Sequence, residues 1–136
     1  MRSGAGWGAG ETIVDTPFNE ENPDTDGVSV VYDADRGTGP DIYFQPLSGG
    51  TETQLQLAGQ QVNPYISSGV IAFESRATDG DPADIYVYVM ATNTLLQVTN
   101  SPTVDDTLKD VTVACCQIPF QVNSGYLLLP LRVSSN

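Results

Sequence analysis

The sequence predicts an all-β chain assembled from repeated antiparallel units. Three observations predict it. Short motifs recur at a near-constant spacing of 41 to 43 residues: Asn22-Pro23 as Asn63-Pro64, Asp41-Ile42-Tyr43 as Asp84-Ile85-Tyr86, and Leu55-Gln56-Leu57 as Leu96-Gln97-Val98. Apolar residues within each unit alternate with period two, and no stretch of useful length carries a helical period. The 13 glycines and 9 prolines fall mostly between the apolar runs, where turns need them.

The first unit supplies three strands, Val28–Tyr32, Asp41–Gln45 and Thr51–Leu57, with a turn at Ser48-Gly49-Gly50. Val70–Phe73, Asp84–Met90 and Thr94–Val98 fill the same places in the second, with Ala91-Thr92-Asn93 as the turn. A fourth, outer strand is expected around Tyr65-Ile66, with Phe18 taking that part upstream. The third unit starts on schedule at Asp105–Asp110 and Val111-Thr112-Val113. It then departs, because no Asp-Ile-Tyr follows Ala114. Leu127–Leu131 is the one later stretch apolar enough for a further strand.

Three or four strands repeating every 42 residues or so are the signature of a β-propeller blade. The predicted fold is therefore a partial β-propeller of antiparallel four-stranded blades. The pattern resembles TolB-like propeller repeats, within the broader WD-repeat-like class. The residues that carry it are Pro23-Asp24-Thr25-Asp26-Gly27, Arg36, Asp41-Ile42-Tyr43, Gly49-Gly50 and Gln54-Leu55. In the second copy they are Phe73-Glu74-Ser75-Arg76, Asp84-Ile85-Tyr86 and Gln97-Val98-Thr99. Residues 1–10 read as a flexible Gly-rich leader, 11–113 as the propeller repeats, and 114–136 as a divergent third-blade segment or tail. The resemblance implies the periplasm or the cell exterior.

Composition narrows the function. A formal charge of -12 repels phosphate backbones, which argues against nucleic acid as a partner. No apolar run approaches the length of a membrane span, so membrane insertion is not expected. The chain has no histidine, which removes Ser-His-Asp triads and His metal sites. No Gly-x-Ser-x-Gly arrangement is present, and the acidic loops single out no carboxylate pair for glycosidase work. The chain is thus expected not to be an enzyme and to need no cofactor, calcium excepted. Cys115 and Cys116 are neighbours on an alternating stretch, which puts a small buried residue beside an exposed thiol.

The sharpest candidate for a cation is Asn22, Asp24, Asp26 and Asp33. Oxygen ligands at alternate positions, followed by Gly27, mimic the spacing of a calcium loop. A structural turn competes with that reading and outweighs it. Position twelve is Asp rather than Glu, and the second copy keeps Asn63, Pro64 and Gly69 but not the acids. Asp41 and Asp84 are expected to fix their loops by accepting backbone amides. Arg36 and Arg76 recur and are expected to pair with carboxylates such as Asp35 or Glu74; pointing into a shared channel, they would instead hold an anion. Tyr86 and Tyr88 share one strand face, which is expected to pack between blades.

Two and a half blades leave sheet faces and edges bare. The expected role is a non-catalytic binding or assembly scaffold, completed by self-association or by another propeller-containing chain. Two alternatives stand beside it: an accessory propeller of a larger secreted enzyme such as a peptidase, and a structural subunit of an extracellular filament.

Overall fold

In the computed structural model, the structure describes residues 14–113 and the strand segments 122–123, 126–127 and 131–135. Two four-stranded antiparallel sheets dominate it, and the described residues contain no helix. The first sheet is an up-and-down meander of β1 (Glu20–Thr25), β2 (Ser29–Asp35), β3 (Pro40–Pro46) and β4 (Thr53–Gln54). The second repeats it with β5 (Gln60–Ser67), β6 (Val70–Arg76), β7 (Asp84–Val89) and β8 (Thr94–Gln97). Beyond them, β9 (Leu108–Val113) pairs with β12 (Leu131–Ser135), and β10 (Val122–Asn123) pairs with β11 (Tyr126–Leu127). Cys115 and Cys116 lie outside the described residues.

The repeat seen in the sequence is a repeat of register. Tyr32 stands opposite Tyr43, and Phe73 opposite Tyr86. Both pairs stack, at 6.0 Å and 5.9 Å between ring centroids. Tyr43 is level with Gln54 and Tyr86 with Gln97. In each sheet the glutamine donates back to the first residue of the Asp-Ile-Tyr motif: Gln54 Nε2 to Asp41 at 2.9 Å, Gln97 Nε2 to Asp84 at 3.2 Å. The recurring Asp and Gln are thus one cross-strand pair, the unit of sheet stabilisation.

Strand alternation gives each sheet two apolar faces. Val31, Ile42, Phe44 and Leu55 of the first sheet pack against Ile66, Ile71 and Phe73 of the second. Tyr88 crosses this seam onto Phe44, with centroids 5.9 Å apart. The opposite face of the second sheet, Ala72, Ile85, Val87 and Val89, packs against Leu108 and Val111 of β9. On the first sheet, the face that corresponds to the second sheet's seam holds Tyr32, Ala34 and Tyr43 and is covered in part by Val14.

Several expectations are corrected. The first edge strand runs over Glu20–Thr25, not at Phe18; it takes in Pro23 to Thr25 of the stretch read as a turn, and the turn itself falls at Asp26 to Val28. A strand keeps them because Asn22 takes φ 50° and the ladder slips between Glu21 and Asp24. Such a bulge absorbs an extra residue without ending the strand. Asn63, at φ 58°, makes the same bulge in β5. The third strand of the first sheet shrinks from Thr51–Leu57 to Thr53–Gln54, although the Leu55 N–H still reaches the Ile42 carbonyl at 2.8 Å.

Candidate functional site

The four candidate cation ligands lie at or beside the β1 bulge, facing β5. Asn22 and Asp33 meet directly, Nδ2 donating to Oδ2 at 2.8 Å. The same Oδ2 accepts the Asn63 backbone N–H at 2.8 Å, so one carboxylate oxygen ties β1, β2 and β5 together. Asp24 Oδ2 accepts the Ile66 N–H at 2.9 Å. Asp26 accepts the N–H groups of Val28 and Ser29 through Oδ1 and that of Gly69 through Oδ2, each at 2.9 Å. All three acids therefore point amide-accepting oxygens at the second sheet. They are not gathered on one point, and among the described residues no three His, Cys, Asp or Glu side chains form a metal-ion cluster.

The arrangement is a clamp, and it recurs. Asn63 Nδ2 donates to Glu74 Oε2 at 2.9 Å, as Asn22 does to Asp33. Glu74 Oε2 then accepts the N–H of Leu108, on the next strand along, at 2.7 Å. Asn63 Nδ2 also reaches the Leu108 carbonyl at 3.2 Å. Each sheet thus holds its own bulge with one lone pair and the next sheet's backbone with another. Asp33 and Glu74 are buried, so an unmet N–H opposite either would be costly. Burial pushes the Asp33 carboxyl up, against the lowering pull of Asn22 and Asn63. Burial also opposes ionisation of Asp26, yet its backbone N–H donors outweigh that and hold it below its ordinary value.

Sequence reasoning did not single out Glu74 or Leu108 as partners in this device. A signal was present: Asn22 precedes Asp33 by eleven residues, and Asn63 precedes Glu74 by the same interval.

The two arginines part company. Arg36 pairs with Glu52, not with Asp35: Nη1 to Oε1 is 2.7 Å and Nη2 to Oε2 is 2.9 Å. Its guanidinium lies 3.8 Å from the Tyr43 ring centroid and 5.2 Å from that of Phe18. The Tyr32 hydroxyl donates to the same Glu52. The Arg36 bond holds the Glu52 carboxyl low, against burial and with help from Tyr32. Arg76 has no such partner among the described residues. Ladder register explains why, because it sets Arg76 level with Asp35 rather than with Arg36. Strand alternation then sends the two arginines to opposite faces.

Of the other acidic loop residues, Asp35 serves its own turn, while Asp41, Asp84 and Asp105 reach further along the chain. Asp35 Oδ1 accepts the Gly37 and Gly39 N–H groups at 2.8 and 3.0 Å. Neither Asp41 nor Asp84 holds its own loop as expected: Asp84 Oδ1 accepts the Ser101 N–H at 2.7 Å, from the segment beyond β8, and the bond found for Asp41 comes from the Gln54 side chain. Asp105 Oδ1 accepts the Ala83 N–H at 2.8 Å and ties the approach to β9 onto the second sheet. No protein-family model and no curated protein matches the chain.

Proposed function

We propose that the chain is a non-catalytic β-propeller module of TolB-like blades, acting as a binding or assembly scaffold. The recurring clamp is the observation that carries this reading. Asp33 on Asn63 and Glu74 on Leu108 are the same sheet-to-sheet joint used twice in succession. A joint that repeats from one sheet to the next is what an array of like sheets requires, with each unit contacting only its neighbours. The absence of histidine from the sequence removes the commonest general acid–base residue.

The two ends of the array differ. The outer face of the first sheet is occupied by Val14 and by the Arg36–Glu52 pair. The β9–β12 sheet has two strands, among the described residues, where its predecessors have four. We assign the joining edge to this second end, with a second copy of the chain adding strands to the β9–β12 sheet. An isologous joint there, with a covered face at each outer end, closes at two copies rather than growing.

Light scattering after size exclusion tests the reading. A discrete dimer is the expected result. A monodisperse monomer across the micromolar range would overturn the assembly role, and open-ended polymers would overturn the closure at two copies.

A further inference from the structure

We propose that Asp79-Gly80, in the connection between β6 and β7, is a modification site at which the folded chain converts aspartate to isoaspartate. The sequence holds two Asp-Gly pairs, Asp26-Gly27 and Asp79-Gly80. Glycine favours this chemistry because no Cβ hinders the approach of its nitrogen to the preceding side chain, and its backbone turns freely.

The conversion needs no co-reactant besides water. The Gly80 backbone nitrogen attacks Cγ of the protonated Asp79 side chain. An N–Cγ bond forms, and the amide proton leaves with the carboxyl hydroxyl as water. The product is a five-membered succinimide. Water then adds at the Asp79 backbone carbonyl carbon and breaks its bond to nitrogen. The main chain now runs through Cβ and Cγ, with a free carboxylate on Cα. Nothing is oxidised or reduced, and the mass is unchanged.

The fold locks both reacting groups at Asp26 and neither at Asp79. Asp26 Oδ1 accepts from the Val28 and Ser29 N–H groups, and Oδ2 from that of Gly69, each at 2.9 Å. Against burial, these donors hold the Asp26 carboxyl below its ordinary value, which makes the reactive protonated form scarcer. The attacking nitrogen is engaged too, since the Gly27 N–H donates to Thr25 Oγ1 at 3.0 Å. Asp79 and Gly80 are both exposed. Among the described residues, neither the Asp79 carboxylate nor the Gly80 N–H has a hydrogen-bond partner. The bonds of this turn belong to its ends: the Asp81 N–H reaches the Thr78 carbonyl at 3.1 Å, and Asp81 Oδ2 accepts the Thr78 N–H and hydroxyl.

The sheets can tolerate the product. Arg76 to Asp84 is eight residues where Asp35 to Pro40 is five, so the change falls in the stretch by which the second unit exceeds the first. Exposed loop tips are where such changes are absorbed.

Ageing of the whole chain at physiological temperature and pH tests this, with the same chain in urea as the reference. Peptides are read by electron-transfer mass spectrometry, whose fragments distinguish isoaspartate from aspartate. In urea the two pairs are expected to react at similar rates. Reaching the succinimide at Asp26 in the folded chain means giving up hydrogen bonds to a charged group. Losing even one is worth about tenfold in rate, so folded Asp79 is expected to outpace folded Asp26 by at least about tenfold. Gly80→Ala adds a Cβ that meets nothing within 4 Å. It is expected to slow the Asp79 reaction several-fold in the folded chain and in urea alike. Equal rates at the two pairs in the folded chain, an Asp79 that reacts in urea but not when folded, or an undiminished rate in Gly80→Ala would each overturn the proposal.

Discussion

The backbone N–H of Asn63 donates to Asp33 Oδ2 at 2.8 Å, across the seam between two sheets and 30 residues apart in sequence. The contact does not belong to either sheet's ladder. It fixes how one sheet sits on the next, since a bulged backbone leaves a free N–H at one defined height. Replacing Asp33 by Ala takes this acceptor from the half-buried Asn63 N–H and from the exposed Asn22 Nδ2. Asp33→Ala is expected to cost about 2 kcal/mol. Asp33→Asn keeps an acceptor oxygen and is expected to cost less than half as much. Urea denaturation of the three proteins checks this, and equal losses in the two variants would show that charge, not acceptance, matters at Asp33.

Acid should act on this seam with two signs. The Asp33 carboxyl is raised above its ordinary 3.8, so the folded state takes up its proton before the unfolded state does. Its contribution to stability therefore grows as pH falls toward 3.8. Asp26 is lowered, so its contribution is complete above 3.8 and is lost as pH falls through its folded value. Glu52, held low by Arg36, behaves as Asp26 does, from an ordinary value of 4.5. Urea midpoints measured from neutral pH downward are expected to drop less steeply below 3.8 in Asp26→Asn. In Asp33→Asn the gain above 3.8 should vanish. A steeper acid loss in Asp26→Asn would contradict the assignment.

Two glycines with nearly the same backbone angle should respond very differently to alanine. Gly59 has φ +94°, and a Cβ there would lie 2.3 Å from the Arg76 carbonyl oxygen. Gly27 has φ +89°, with nothing within 4 Å. The backbone strain is common to both, at about 1 kcal/mol or somewhat more. The Gly59 clash is against backbone and cannot be relieved by a rotamer change. Gly59→Ala is thus expected to cost about 3 kcal/mol, Gly27→Ala about 1. Thermal unfolding that ranks them the other way would refute the close approach of β5 to the end of β6.

The repeat was legible in the sequence because the contacts that recur demand particular residues. Asp41 with Gln54, and Asp84 with Gln97, are the same cross-strand bond made twice, so both partners recur as letters. Tyr86 and Tyr88 were legible as a shared face, since alternation fixes faces without knowledge of the partner. The edge strand β1 was not legible. Asn-Pro-Asp reads as a turn, and only the neighbouring sheet reveals that a bulge holds it extended. Glu52 was missed as the partner of Arg36 because sixteen residues and a strand connection separate them. Arg36 and Arg76 matched as letters, while a one-residue difference in register gave them different surroundings.

Glu52 should also govern how Tyr32 ionises. Burial comes first in holding the Tyr32 hydroxyl well above the ordinary tyrosine value of 10.0, and its bond to the Glu52 carboxylate adds to this. Tyr43 is raised as well, by burial, although Arg36 pulls against it. Because the folded value of Tyr32 is raised, its contribution to stability is complete below 10.0 and is lost as pH rises beyond it. Titration by tyrosinate absorbance is expected to show Tyr32 ionising only as the protein unfolds. Glu52→Gln removes both the accepting charge and the partner of Arg36. It is expected to cost about 1 to 2 kcal/mol at neutral pH, as a partly buried, bidentate pair would. It should also bring the Tyr32 ionisation down in pH. Unchanged tyrosine titration in Glu52→Gln, with a normal fold by circular dichroism, would show that burial alone sets the Tyr32 value.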